Sequence, residues 1–243
     1  MTHKRHLQNT RVVIVFAAII ATAVIGSSRL VSAHDDRGGV ESEEARIHRG
    51  LAIAPVHLNL EGKDRNLVGL GSYWVNAVQD CNGCHSAGPA TEYMVPTGNP
   101  YFLSPPFSGK QQINPATYLG GGRDFGPFPG PPFPSIPHLY SRNLTPDHTG
   151  LPAGGRTYDE FRDIIKHGID LDHLHTNCTA GPDNPPNCIV APFNGDVLQV
   201  MPWPVYENMT DHDVRAIYEY LKAVPCNPGP NIDGAPYLQN DCD

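Results

Sequence analysis

The sequence predicts an all-α domain in which a few helices are joined by long loops rich in glycine, proline and aromatic residues. Two observations support this fold class. Apolar residues recur at three- and four-residue spacing in three segments, which is the pattern of a helix buried on one side. Glycine (24 residues) and proline (25 residues) together make up about one residue in five of the 243. That composition argues against long regular sheets and against a large doubly wound enzyme.

The charge balance argues against two kinds of partner. The formal net charge is −8. Residues 1–33 hold four of the 17 basic residues and no acidic one, which leaves 13 basic against 25 acidic side chains, or −12, in the rest of the chain. Nucleic-acid binding depends on neutralising phosphates, so no nucleic-acid partner is expected. The same balance disfavours adhesion to an anionic membrane surface.

Residues 1–33 have the pattern of a secretory signal peptide. Basic residues precede an apolar run over 12–25, and small residues at 31–33 provide a cleavage site. The run is shorter than the roughly 20 residues that span a bilayer. The alternative is an uncleaved segment that attaches the protein to a membrane. In both cases we expect the body of the chain in the periplasm or outside the cell, where disulfides persist.

The helices are predicted in chain order. Residues 34–61 form a polar leader or a short surface helix, and residues 65–80 form a helix with an apolar face. Residues 157–168 are the clearest helix, because Thr157 and Glu160 form a capping box. Thr210 caps a last helix that ends before Pro225.

The stretch over 86–140 is predicted to be irregular but ordered. It is rich in glycine and proline, yet it holds nine of the 18 tyrosines and phenylalanines of the chain. Disordered linkers are poor in aromatic residues. We therefore expect this stretch to wrap something apolar.

The motif Cys81-Asn82-Gly83-Cys84-His85 carries the chemistry of the sequence. Two thiols three residues apart reach the two vinyl groups of one haem, and the adjoining histidine lies under the iron. This is the attachment signature of c-type haem. A redox-active cysteine pair requires a βαβ setting that the sequence does not show, and a zinc site requires a fourth ligand at zinc-module spacing.

Met201 is the best candidate for a second axial ligand of the iron. It lies between Val200 and Pro202, in a segment stiffened by prolines 202 and 204. A lone methionine is otherwise core filler. Four other side chains compete for the role, namely Met94, Met209, His173 and His175.

Together these motifs resemble the class I c-type cytochromes, and most closely the cytochrome c domains that serve as electron-transfer subunits of periplasmic dehydrogenases. The resemblance covers about residues 62–226. It rests on Cys81–His85, Asn143–Asp147 followed by Thr149 and Gly150, the capped helix 157–168, and Met201–Trp203 with the last helix.

The resemblance implies a cytochrome c fold, with three to five helices around one covalent haem c and insertions at about 86–140 and 171–198. The family's attachment cysteines map onto Cys81 and Cys84, and its axial ligands map onto His85 and Met201. In the family the first and last helices cross beside the haem. The further candidates for the haem pocket are Asn143, Arg142, Arg123, Pro202 and Trp203. The arginines and Asn143 would contact the ring propionates, although a plain surface position is an equal alternative for each arginine.

Four more cysteines are expected to form disulfides. Proximity in the sequence favours Cys178–Cys188 and Cys226–Cys242, among three possible pairings. The second bridge would tether the tail over 227–243.

The function that we expect is electron transfer, with one haem iron cycling between Fe(II) and Fe(III). The chain would then be an electron carrier or an electron-transfer subunit and not a catalytic enzyme. Its partner would be a dehydrogenase, an oxidase or another cytochrome. The alternative is a haem enzyme or a sensor of gas or peroxide, in which the second axial position is open or labile.

Overall fold

The first two helices cross at a pair of glycines. In the computed structural model, α1 (Glu43–Ile53) begins at the Ser42 cap, and α2 (Arg65–Tyr73) begins at the Asp64 cap. Gly50 of α1 meets Gly69 of α2 so closely that a Cβ at position 50 would come within 1.9 Å of the Gly69 carbonyl oxygen. The structure describes residues 41–88, 90–94, 99–101, 112–127, 138–171, 193–233 and 238–243.

The helix predicted over 65–80 is present but changes its winding. After α2 the chain continues as a π-helical turn, Trp74–Val78. A separate short helix, α3 (Cys81–Cys84), then carries the two cysteines of the motif. Single π-helical turns of this kind are frequent near functional sites.

The irregular stretch over 86–140 contains a small ribbon that the sequence does not predict. Its strands are β1 (Asp124–Pro127) and β2 (His138–Tyr140), paired antiparallel with Asp124 opposite Tyr140. One irregular helical turn, α4 (Pro152–Gly155), follows, and three of its residues, Ala153, Gly154 and Gly155, have left-handed φ values.

The two capped helices occur where the sequence predicts them. α5 (Tyr158–His167) begins with the complete Thr157–Glu160 capping box and ends at Gly168, whose φ is +69°. A short helix, α6 (Trp203–Tyr206), precedes α7 (Asp211–Leu221), which Thr210 caps by accepting a hydrogen bond from the amide of Asp213.

The core lies where α2, α5 and α7 meet. Gly71 of α2 touches the backbone of Ala216 in α7, so these two helices pack closely against each other. The buried apolar side chains at this junction include Val68, Val75, Phe161, Ile165, Val214, Ile217 and Leu221. Their burial stabilises the crossing by the hydrophobic effect.

A disulfide ties the tail to the end of α7. Cys226 bonds to Cys242, as the sequence predicts. The predicted partners Cys178 and Cys188 lie outside the described residues, as does the signal segment over 1–33. Among the helices that the structure describes, none is both long and apolar enough to span a membrane.

Candidate haem-binding site

Helix α3 presents the two cysteines through a tight turn. Its N-cap, Asp80, has a left-handed φ of +48°, and its carboxylate accepts a hydrogen bond from the Gly83 amide at 3.3 Å. A Cβ at position 83 would lie 2.4 Å from the Asp80 carboxylate, so a larger residue would displace this capping side chain. Gly83, to which the sequence analysis assigns no role, thus contributes to the geometry of the turn.

Both thiols are free, and they differ in environment. Cys81 is half-buried and Cys84 is exposed. Burial raises the pKa of Cys81 to about 12, and the nearby Asp80 carboxylate adds to the effect. Disulfide exchange needs the thiolate. The environment of Cys81 is thus unfavourable to a redox-active cysteine pair, one of the alternatives considered for this motif.

His85 is held in a single tautomer. Its Nδ1 lies 2.8 Å from the carbonyl oxygen of Arg142. A carbonyl can only accept a hydrogen bond, so Nδ1 carries the proton. Burial lowers the pKa of His85, which keeps the ring neutral. Its Nε2 therefore has a lone pair available for a metal, and an Nδ1–H bond to a carbonyl is the usual support of a metal-bound histidine.

The backbone of His85 is fastened as well. Its amide donates to the Cys81 carbonyl at 2.8 Å, and its carbonyl accepts from the Gly121 amide at 2.9 Å. Gly121 has a φ of +74°, and a Cβ there would come within 2.5 Å of the Asn143 amide. Two loops that are separate in the sequence thus form hydrogen bonds with His85, one with the imidazole ring and one with the main-chain carbonyl.

A cavity of about 290 Å³ opens in front of these residues. This is near the lower end of the roughly 300–1,000 Å³ range of small-molecule sites. Cys81, Cys84, His85 and Met201 all line it. Most of the remaining wall is apolar and includes Val75, Phe125, Leu139, Tyr140, Leu144, Phe161, Ile165, Leu198, Ile217 and Leu221.

Of the competing methionines, only Met201 is part of the wall. Met209 accepts a hydrogen bond at its sulfur from the Gln79 side chain at 3.0 Å, and Met94 is 38 % exposed on another part of the surface. His173 and His175 lie outside the described residues. Met201 is half-buried and packs against the core.

The five further pocket candidates divide into two groups. Arg142 and Pro202 line the cavity. Arg123 instead donates to the Gly83 carbonyl and covers the ring of Phe125, while Trp203 donates to the Leu198 carbonyl at 3.1 Å. Asn143 is 1 % exposed, and its side chain bonds to Thr145 and Asn227, behind His85.

Sequence reasoning missed Arg156, Asp170 and Tyr206, which also line the cavity. Burial raises the pKa of Tyr206, which keeps its hydroxyl protonated. Arg156 directly precedes the capping box of α5, and the apolar stripe of that helix faces the cavity. The stripe was visible in the sequence, but what it faces was not.

Comparison with known proteins finds relatives of one kind. The chain is 32 % identical over 98 residues to the gluconate 2-dehydrogenase cytochrome c subunit of Pantoea cypripedii, over 39 % of this chain and 17 % of that protein. It is 25 % identical over 158 residues to the alcohol dehydrogenase (quinone) cytochrome c subunits of Gluconacetobacter polyoxogenes and Komagataeibacter europaeus, over 65 % of this chain and 22 % of each relative. The matches thus span about a fifth of the length of these relatives.

No protein-family model matches the chain. No solved structure matches it either.

Proposed function

We propose that this chain is an electron-transfer protein that carries one covalent haem c. The observation that carries the proposal is the neutral His85, whose Nδ1–H is bound to the Arg142 carbonyl, facing the cavity that Cys81, Cys84 and Met201 also line. The similarity to cytochrome c subunits of dehydrogenases supports the same conclusion.

Each of the four residues has its own task toward the haem. The sulfurs of Cys81 and Cys84 would form its two thioether bonds. His85 Nε2 and the Met201 sulfur would be the two protein ligands of its iron. When bound, the haem would supply a one-electron Fe(II)/Fe(III) couple, and methionine ligation would raise its potential. If both residues ligate the iron, no coordination site would remain for a substrate.

The rest of the cavity wall favours electron transfer as well. Its apolar side chains exclude water and disfavour the more highly charged ferric state. Arg142 and Arg156 bring two cations to a wall that is otherwise mostly apolar. They are the side chains of the described cavity wall that suit two anionic propionates, because a guanidinium pairs well with a carboxylate.

We assign the body of the chain, residues 62–226, to a cytochrome c fold, with haem in the space between α3, α5 and α7. The protein would work outside the cytoplasm, as its predicted signal segment implies. Its partner would be a dehydrogenase, as the names of the relatives suggest.

The test is the visible spectrum of the protein produced in a host that attaches haem c. It is recorded oxidised, reduced, and reduced with carbon monoxide. We expect covalent haem with sharp reduced bands that carbon monoxide does not move. Bands that shift with carbon monoxide would favour the haem enzyme or sensor instead, and a protein without covalent haem would end the proposal.

A further inference from the structure

The tail of the chain reaches the back of His85 through Asn227, the residue next to the disulfide. The Asn227 carbonyl accepts a hydrogen bond from the Asn143 side chain at 2.8 Å, and its amide donates to the Thr145 hydroxyl at 2.9 Å. Its side chain donates to the Ala116 carbonyl at 3.0 Å. One tail residue therefore binds to two loops that are distant in the sequence.

These two loops are the ones that form hydrogen bonds with His85. We call residues 116–122 and 141–145 the support segments. Leu144 donates to the Leu119 carbonyl at 2.9 Å, and Gly122 donates to the Ser141 carbonyl at 2.8 Å. The first segment binds the His85 carbonyl through Gly121, and the second binds the His85 imidazole through Arg142.

The tail is packed tightly against the support segments. A Cβ at Gly229 would lie 2.9 Å from the side-chain nitrogen of Asn143 and 3.1 Å from the Gly120 carbonyl oxygen. From the other end of the disulfide loop, Asn240 donates to the Thr145 carbonyl at 2.9 Å. The Cys226–Cys242 bond closes this loop, and residues near both of its ends contact the segment 141–145.

The hydrogen bonds leave Asn143 no freedom to move independently of the tail. Its Oδ1 accepts from the Thr145 amide and hydroxyl at 2.9 and 2.8 Å, while its Nδ2 donates to Asn227. Arg142, whose carbonyl accepts the hydrogen bond from the His85 imidazole, directly precedes Asn143 in the chain. A shift of the tail at Asn227 would thus reach His85 through one peptide unit.

We propose that Asn227, held by the Cys226–Cys242 disulfide, is a positioning residue for the His85 ligand. It keeps the Arg142 carbonyl at hydrogen-bond distance from Nδ1 and so maintains the electron donation of the imidazole to the iron. The inference rests on the proposed function, because it assumes that His85 binds the haem iron.

The experiment compares Asn143→Ala with Asn231→Ala in the haem-loaded, reduced protein, because the Asn143 side chain donates the hydrogen bond that the Asn227 backbone carbonyl accepts. Asn231 is an exposed asparagine of the tail, so it is the control. We expect the His85 Nδ1–H proton to exchange with solvent at least about fivefold faster in Asn143→Ala, the effect of losing one hydrogen bond between the tail and the segment that holds the imidazole. The midpoint potential should rise, because a weaker Nδ1–H bond makes the imidazole a poorer donor. Asn231→Ala should change neither quantity.

A merely structural role is distinguished by the backbone amide of Ile217, which lies in the buried part of α7. If the exchange of Ile217 accelerates as much as that of His85, the tail only stabilises the whole domain and the proposal is wrong. Unchanged exchange and an unchanged potential in Asn143→Ala would also overturn it.

If Asn143→Ala does not retain haem, a double variant decides the question. Cys226→Ser with Cys242→Ser should show the same change at His85, and Cys178→Ser with Cys188→Ser should not. Equal effects of the two pairs would contradict the proposal. Failure of the proposed function would be seen separately, because the unmodified protein would then lack a six-coordinate haem.

Discussion

Gly168 lies directly against the indole ring of Trp203, at the join between the end of α5 and the segment that carries Met201. A Cβ at position 168 would come within 2.4 Å of the ring. The Gly168 carbonyl accepts from Leu198, and the Trp203 Nε1–H donates to the Leu198 carbonyl at 3.1 Å. This three-residue contact fixes the chain on both sides of Met201.

Gly168→Ala should loosen this contact. Alanine is strained at a φ of +69° by about 1–2 kcal/mol, and the overlap with the indole adds about 1–3 kcal/mol. We expect a lower free energy of unfolding in denaturant titration, and carbon monoxide binding by the reduced protein as Met201 becomes displaceable.

Gly150→Ala is the matched control for the backbone strain. Gly150 has a φ of +77°, and a Cβ there would meet nothing within 4 Å. It should lose only the strain and leave carbon monoxide binding unchanged. If the two variants lost equal free energy of unfolding, the Gly168–Trp203 contact would contribute nothing to stability.

Met201→Ala should open the second axial position. The reduced protein should then bind carbon monoxide, and its midpoint potential should fall because the thioether that favours the ferrous iron is gone. Met94→Ala is the control, since Met94 is 38 % exposed and does not line the cavity. Identical spectra and potentials for the two variants would assign the ligand to another residue.

Gly71→Ala should push α2 and α7 apart. Alanine favours a helix over glycine by about 1 kcal/mol, but a Cβ at position 71 would lie 1.9 Å from the Ala216 carbonyl oxygen. The overlap is with backbone, which cannot rotate away, so we expect a net loss of about 3 kcal/mol in the free energy of unfolding. A gain in stability would show that the crossing relaxes freely.

The capping box of α5 should make stability depend on acid. Hydrogen bonds from the Thr157 amide and hydroxyl lower the pKa of Glu160 below its ordinary value of 4.5. The carboxylate therefore stabilises the folded state above pH 4.5, and this contribution is lost as the pH falls through 4.5 toward the folded pKa.

Glu160→Gln keeps an acceptor at the cap and removes the titration. The midpoint temperature of thermal unfolding should therefore fall less steeply between pH 6 and pH 3 for this variant than for the unmodified protein. Asp159→Asn, one residue earlier in the same turn, serves as the control. Parallel curves for Glu160→Gln and the unmodified protein would disprove the role of the cap.

Much of the candidate site was predictable because its signals are local. The cysteines and the histidine of the motif are adjacent in the chain, and a cap such as Thr157 with Glu160 is complete within four residues. The Cys226–Cys242 disulfide closes a loop of 16 residues, so proximity alone predicted it.

The tertiary structure decided the features that join distant segments. Only folding brings the Arg142 carbonyl to His85, 57 residues away, and turns Asn143 toward the tail instead of the cavity. The same holds for Arg156 and Tyr206, which only the fold brings to the wall of the cavity. A hydrogen bond or a cavity wall depends on the distance between atoms in space, and the spacing of residues along a chain specifies that distance only within a helix, a turn or a short loop.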